Sequence, residues 1–333
     1  AYLDNAATAQ RPQCVLDAVT EFYKSQNANP LRGLYPLSIT ATEAYENARE
    51  AVRAFLNAKS SREIIFTRNT TESINLVAYS YGLSHVKAGD EVLVSIMEHH
   101  SNLLPWQMVC RQTGASLKFM ECEMDGTLDL NKVEALITPK TKIVACTHVS
   151  NVFGDILPIE GVAQLCQSSG VPLIIDASQS AGVLPIDCKT LGAAFIAMPG
   201  HKGLYGPQGT GLLLCGGEAL PLLQGGTGSE SLRQEMPDFL PDRLEAGTHN
   251  VPGIAGLAAG IDFVRAQRTE RILLHERQLL RRAGEGMGRI PRVSCCLARD
   301  EKRQAGVLSF TVSGMQPEQV AEQMASRGVA LRA

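Results

Sequence analysis

The feature that most constrains the fold is the alternation, from about residue 40 onward, of short apolar segments with helix-length segments. The apolar segments are continuous runs, which are typical of strands buried on both faces of a parallel sheet. The predicted strands lie at 63–67, 91–95, 116–120, 142–146, 172–175, 194–197 and 211–214. The sequence therefore predicts an α/β fold in which a mostly parallel sheet is covered by helices on both faces.

Helical periodicity and glycine content divide the chain into a large and a small part. An amphipathic helix is predicted over 41–58, with Thr40 or Thr42 as its N-cap. After a glycine-rich break, two helices, a strand, a helix and a strand are predicted at 251–266, 269–286, 307–312, 317–327 and 329–332. We expect a large domain over 1–250 and a small α+β domain over 251–333, and it is open whether residues 1–30 pack with the small domain.

Composition excludes several classes of protein. The 31 Lys and Arg residues nearly balance the 34 Asp and Glu residues, so bulk charge favours no nucleic-acid partner. No apolar run approaches the roughly 18 residues of a membrane span, and the first residues do not resemble an export signal. The nine cysteines are scattered without a C-x-x-C spacing, which disfavours a disulfide framework and a metal site. We therefore expect a cytoplasmic protein with no membrane partner.

Two charged residues follow neighbouring predicted strands. Lys202 lies in a glycine-flanked segment after strand 194–197, where a shielded amine could form a Schiff base with a carbonyl cofactor. Asp176 ends strand 172–175, where its carboxylate could pair with the N–H of a cationic cofactor ring. Taken singly, a solvent-facing loop explains Lys202 as well, and a helix cap explains Asp176. Their positions at adjacent strand ends favour a shared cleft.

Three further polar sites follow other predicted strands. His99 could lie over a flat ring and move protons near neutral pH. Thr70 and Thr71 begin a helix whose free N–H groups could bind an anion. Asn151 follows strand 142–146. A loop histidine, an ordinary N-cap and a turn asparagine are the alternatives. Because five such sites at one sheet edge are hard to explain separately, we interpret them as one cleft.

Together these motifs resemble the class V aminotransferase group of pyridoxal-phosphate enzymes, and within it the cysteine desulfurase and selenocysteine lyase branch. The matching segments are YLDNAAT (2–8), EHHSNLLPW (98–106), HVSN (148–151), DASQSAG (176–182), GHK (200–202), YGPQGTG (205–211) and EAGT (245–248). In this order they extend over essentially the whole chain.

The resemblance implies roles around the ring of pyridoxal 5'-phosphate. Lys202 would bind the cofactor as a Schiff base and later transfer a proton, and Asp176 would pair with the pyridine nitrogen. His99 would stack on the ring and assist proton transfer. Gln179 and Asn151 would hydrogen-bond the side of the ring that carries the phenolic oxygen.

The resemblance also implies a phosphate site and a homodimer. Thr70, Thr71 and His201 would hold the cofactor phosphate, and Thr248 would reach the site of the other subunit. Arg32 lies where the family lines its substrate entrance.

The implied reaction removes sulfur from L-cysteine. It yields L-alanine and passes the sulfur to a protein thiol as a persulfide, from which an acceptor protein receives it. The alternatives are a selenocysteine lyase, another class V lyase or aminotransferase, and a non-catalytic scaffold if the chain ends at Ala333.

The chain departs from the family pattern in three places. The nucleophilic cysteine of the relatives follows a segment much like 329–332, so we expect the chain and its small domain to continue beyond Ala333. Pro199 stands where relatives carry a phosphate-binding Ser or Thr, and Tyr35 stands where many have a histidine. These two departures bear on substrate choice more than on cofactor binding.

Overall fold

A seven-stranded sheet forms the centre of the computed structural model, which describes residues 1–123, 125–230 and 232–333. Its strands are β1 (Ile64–Thr67), β2 (Glu91–Ser95), β3 (Ser116–Met120), β4 (Thr141–Thr147), β5 (Leu173–Asp176), β6 (Phe195–Pro199) and β7 (Gly211–Cys215). They lie in the order β1-β7-β6-β5-β4-β2-β3. The seven strands predicted between residues 63 and 214 are therefore all present, with small shifts at some of their ends.

The sheet is mostly parallel, as predicted. Strands β3, β2, β4, β5 and β6 pair in parallel, whereas β7 is antiparallel to both of its neighbours, β6 and β1. The reversal at β7 follows from its connection to β6, because residues 200–210 contain no helix that could carry the chain back across the sheet.

Helices cover both faces of this sheet. They are α1 (Gln13–Glu21), α2 (Pro36–Leu56), α3 (Thr70–Val77), α4 (Leu83–His85), α5 (His100–Thr113), α6 (Leu130–Leu136), α7 (Ile159–Ser169), α8 (Cys188–Leu191), α9 (Val251–Gln267), α10 (Thr269–Met287) and α11 (Pro317–Ser326). Single π-helical segments extend α1 to Gln26 and join α3 to α4. Successive strand residues belong to two different hydrophobic cores. Ile175 lies in the same core as Leu257 of α9, and Ile174 lies in the same core as Trp106 of α5. The strands other than the edge strand β3 are thus buried on both sides, which is why their apolar runs are continuous.

The predicted start of α2 is wrong. The helix begins at Pro36, five residues before the predicted start. Neither Thr40 nor Thr42 caps it, because each hydroxyl donates to the carbonyl four residues earlier, at Pro36 and Ser38. A proline at the first helical position needs no N–H partner, so it is a suitable helix start that the search for a hydroxyl cap overlooked.

A small antiparallel sheet and two helices form the C-terminal lobe, residues 269–326. Strand β8 (Val293–Cys296) was not predicted, and it pairs with β9 (Ser309–Val312). The predicted strand at 329–332 is wrong: only Ala330 forms a bridge, and its partner is Tyr2 at the start of the chain. The domain boundary near residue 250 stays a prediction. No helix of the described residues is long and apolar enough to cross a bilayer.

Candidate functional site

The carboxyl ends of β1, β2, β4, β5 and β6 lie at one edge of the sheet, because the double reversal at β7 leaves β1 parallel to β6. A cleft of about 780 Å³ opens at this edge. Its opposite wall comes from the C-terminal lobe, through residues 307–312 and Met315. The predicted site residues on five strand ends are thereby brought together around one cavity.

Asp176 ends β5 and is 2% exposed. Its Oδ1 accepts the backbone N–H of Ser178 at 2.9 Å. Among the described residues, no hydrogen bond reaches its second carboxylate oxygen. Since a buried carboxylate oxygen without a partner is costly, this oxygen is available to a donor in the cleft.

Lys202 lies in the loop after β6, beside Asp176 across the paired strands β5 and β6. The loop after Lys202 touches the loop after Asp176 backbone to backbone: a Cβ on Gly182 would lie 2.0 Å from the carbonyl oxygen of Gly203. Burial lowers the pKa of Lys202, and the Arg332 charge adds to this, while Asp176 opposes it. The lysine therefore has an amine that is more easily freed of its proton than an exposed one.

His99 is the N-cap of α5, and its ring opens onto the cleft. Its Nδ1 accepts the backbone N–H of Ser101 at 3.1 Å, which places the ring proton of the neutral form on Nε2. Partial burial lowers the pKa of His99, and the positive charge of Lys202 lowers it further. The imidazole is therefore neutral near pH 7.

Thr70 and Thr71 begin α3, whose N-cap is Asn69. The Asn69 side chain takes the N–H of Glu72 at 2.9 Å, and no acceptor among the described residues takes the N–H groups of Thr70 and Thr71. The Thr70 hydroxyl accepts from the hydroxyl of Ser178 at 3.0 Å. A helix start with free donors is an anion site, and Ser178 joins it to Asp176.

The remaining predicted cofactor residues on the cleft are Gln179, Asn151 and His201. The Gln179 amide donates to the carbonyl of Ala6 at 3.0 Å, and His201 Nδ1 lies 3.1 Å from the Thr8 hydroxyl. Both contacts bring the first residues of the chain to the cleft. Burial lowers the pKa of His201, and Lys202 adds to the shift.

Two predicted residues do not line the cleft of this chain. Arg32 precedes α2 and is exposed, and Thr248 lies in an exposed turn before α9. Their roles stay predictions, and the role predicted for Thr248 concerns a second subunit.

The sequence analysis missed an ion pair on the rim of the cleft. The guanidinium of Arg332 binds both carboxylate oxygens of Asp4, at 3.1 and 3.2 Å. Its charge contributes to lowering the pKa of Lys202 and of His99. Because 328 positions separate the two partners, no local pattern joins them. The apolar wall at 307–312 was missed for a different reason, since it contributes shape rather than a polar motif.

Comparison with known proteins agrees with this geometry. The family model described as Aminotransferase class-V matches residues 1–333. A probable cysteine desulfurase of Mycolicibacterium paratuberculosis is 40% identical over all of this chain, which spans 49% of that protein. A probable cysteine desulfurase of Synechocystis is 39% identical over 99% of this chain and 80% of its own length.

Among solved structures, a cysteine desulfurase of Thermococcus onnurineus superimposes with a TM-score of 0.94 at 39% identity, covering 99% of this chain and 83% of that one. The cysteine desulfurase CsdA of Escherichia coli gives 0.90 at 34% identity, with the same coverage. The chain therefore belongs to the class V aminotransferase family, next to members named cysteine desulfurases.

Proposed function

We propose that the cleft binds pyridoxal 5'-phosphate and that the chain is a cysteine desulfurase, which converts L-cysteine to L-alanine and passes the sulfur to a protein thiol. The observation that carries the proposal is the pair formed by Asp176 and Lys202. A buried carboxylate with one oxygen free and a half-buried lysine with a lowered pKa share one cleft.

The donors and acceptors around the cleft fit this cofactor. The free oxygen of Asp176 suits the N–H of a pyridinium ring, and the free N–H groups of Thr70 and Thr71 suit a phosphate. Lys202 supplies the amine that a carbonyl cofactor needs. Together these three features match the ring nitrogen, the carbonyl and the phosphate of pyridoxal phosphate.

Each residue then has a definite task. Bound here, the cofactor supplies an electron sink for the electrons released at the substrate Cα. Asp176 keeps the N–H that faces it protonated, and Lys202 moves the proton at Cα. His99 would lie over the ring and would offer Nε2 for proton transfer, because Nδ1 is engaged by Ser101. The wall at 307–312 excludes water from the opposite side of the cleft.

The cysteines of this sequence are poor candidates for the thiol that accepts the sulfur. No cysteine of the described residues lines the cleft. Burial raises the pKa of Cys110 to about 11 and that of Cys166 to about 12, and the thiolate is the form that attacks sulfur. We infer that the sulfur passes to a thiol other than these buried cysteines, and that an acceptor protein then receives it.

A homodimer is part of the proposal. Large apolar side chains are exposed at the start of α2, and Leu34 is 96% exposed. The set comprises Leu31, Leu34, Tyr35, Leu37 and Ile39. Large apolar side chains exposed so close together in the sequence suit burial against a second copy of the chain. Thr248 would then serve the site of the other subunit, and Arg32 would line the substrate entrance.

The decisive experiment is reduction of the purified protein with borohydride in the presence of pyridoxal phosphate, followed by peptide mapping. We expect the cofactor mass on the peptide that carries Lys202, and none in Lys202→Ala. The matched control is Lys189→Ala, since Lys189 is exposed and lies away from the cleft. Alanine release from cysteine, compared with selenocysteine, tests the activity, and the mass in solution tests the homodimer. Labelling of another lysine, with Lys202 unmodified, would overturn the proposal.

A further inference from the structure

Directly beside His99 lies a carboxyl to which the proposed reaction gives no task. The Glu98 side chain reaches a junction of three segments: the end of β2, the first turn of α5 and the end of β4. Ser95 donates to it through its hydroxyl, Asn102 through Nδ2 at 2.6 Å and Thr147 through its backbone N–H at 2.7 Å. These donor residues are 1%, 0% and 5% exposed, respectively. The hydrogen bonds are therefore shielded from water.

Neighbouring groups that can only donate determine the direction of these hydrogen bonds. The indole of Trp106 can only donate, and it donates to Asn102 Oδ1 at 2.9 Å. Asn102 must therefore turn its NH₂ group toward Glu98. The backbone N–H of Thr147, at the other oxygen of Glu98, can also only donate. The side chain at position 98 thus faces an N–H donor at each of its two terminal atoms. A carboxyl fits this arrangement, because both of its terminal atoms are oxygens that can accept a hydrogen bond.

The same contacts hold His99 in place. The backbone N–H of Asn102 donates to the carbonyl of His99 at 2.8 Å, while its side chain is tied to Glu98. The turn 98–102 is therefore closed through its backbone and through its side chains. We propose that Glu98 is a positioning residue, which holds the His99 imidazole and the end of β4 in their places around the cleft.

The inference does not depend on the charge of Glu98. Burial raises the pKa of Glu98 to about 8, and the Asp176 carboxylate adds to the shift, whereas the three hydrogen bonds oppose it. Both oxygens keep an acceptor lone pair in either protonation state. The inference rests on the proposed function in one respect: it assumes that His99 acts in the reaction.

The test is a double-mutant cycle of Glu98→Gln and Asn102→Asp. Glu98→Gln alone places an NH₂ group against Thr147 or against Asn102, so a donor loses its acceptor. In the double variant, the NH₂ group of the new amide at position 98 donates to the new carboxylate at position 102, which also accepts from Trp106. The oxygen of the new amide accepts from the N–H of Thr147. The double variant thereby restores every hydrogen bond of the network, with the carboxyl moved by one position.

The readouts are the NMR titration of the His99 ring and the separate values of kcat and KM. In Glu98→Gln we expect the pKa of His99 to rise toward its ordinary value, and kcat to fall about tenfold or more with little change in KM. In the double variant, the pKa of His99 and kcat should both return most of the way to their values in the parent protein. Glu276→Gln is the control, because it replaces another buried carboxylate, one that does not line the cleft, and should leave the His99 titration unchanged.

The outcomes separate the two proposals. Unchanged His99 titration and kcat in Glu98→Gln would overturn the positioning role. The positioning role would also be overturned if the double variant restored neither readout relative to Glu98→Gln. If Glu98→Gln does not fold, the same comparison is made with Asn102→Asp. If the His99 titration responds as expected but even the parent protein forms no alanine, the positioning role stands and the proposed function fails.

Discussion

The central sheet and the C-terminal lobe are stabilised in different ways. Every residue of β2, β5, β6 and β7 is buried, whereas α10, α11, β8 and β9 contain no buried residue. Apolar burial stabilises the sheet from both faces. The lobe must take its stability from elsewhere, although it supplies one wall of the cleft.

The lobe is held to the large part of the chain by buried polar contacts around Gln304. The Gln304 side chain donates to the carbonyls of Phe153 and Val307, at 2.9 and 2.8 Å, and accepts the N–H of Ala298 at 2.7 Å. Phe153 belongs to the loop that follows β4 and carries Asn151. One polar side chain therefore joins the loop of a predicted cofactor residue to the apolar wall. This wall therefore depends on hydrogen bonds, whereas the sheet depends on packing.

The largest effect is expected from breaking the polar contact buried in the sheet's own core. Arg49 of α2 binds both oxygens of Glu245, at 2.7 and 2.9 Å, and is 1% exposed. Arg49→Ala leaves the buried Glu245 carboxylate without its counter-charge, with only the Tyr45 hydroxyl and the Phe66 N–H still donating to it, which costs about 3–5 kcal/mol. Urea unfolding measures the loss. Arg53→Ala, one turn further along α2, removes an exposed ion pair and should change the midpoint far less. Equal effects of the two variants would contradict the burial argument.

An intermediate effect is expected in the lobe from Gln304→Ala. The variant leaves the carbonyls of Phe153 and Val307 without this donor, at a cost of about 1–3 kcal/mol for a buried group that finds no other partner. Hydrogen exchange should show lost protection in β8 and β9 before any loss in β5. Gln323→Ala, at an exposed position of α11, is the control. A loss of protection that is uniform over lobe and sheet would show that the two parts unfold together.

The last effect depends on pH, and it concerns Glu276 of α10. Its Oε2 is buried and has no hydrogen-bond partner among the described residues, and burial raises the pKa of Glu276 to about 7. Between the ordinary value of 4.5 and about 7, the folded protein binds more protons than the unfolded chain. The free energy of unfolding therefore falls as pH rises through this window and is flat, for this group, above it.

The variant Glu276→Gln should remove that slope. We expect it to be more stable than the parent protein at pH 8 and close to the parent at pH 4. Thermal unfolding at the two pH values measures the difference. A gain at pH 4 as large as at pH 8 would show that the titration of Glu276 is not the cause.

The strands and the site were predictable to different degrees. Strands β2 and β3 were predicted at their observed bounds, because each is a five-residue segment with three apolar residues that follows a turn. β8 was not predicted, since Val293–Cys296 has two exposed residues and no apolar run. The positions of Asp176, Lys202 and His99 around one cleft followed from the rule that parallel strands end at a common edge. The donors that hold these side chains could not be found in the same way.

From the sequence alone one could predict the seven strands of the central sheet, the strand ends that carry polar residues, and the resemblance to the family. These properties follow from local hydrophobic periodicity and from the order of the motifs along the chain. Only the tertiary structure decided which buried polar groups meet: Arg49 with Glu245, 196 positions away, and Glu98 with Thr147, 49 positions away. The reason is physical. A buried donor must find its acceptor among whatever groups the packing brings within about 3 Å, and that neighbourhood does not exist until the chain has folded.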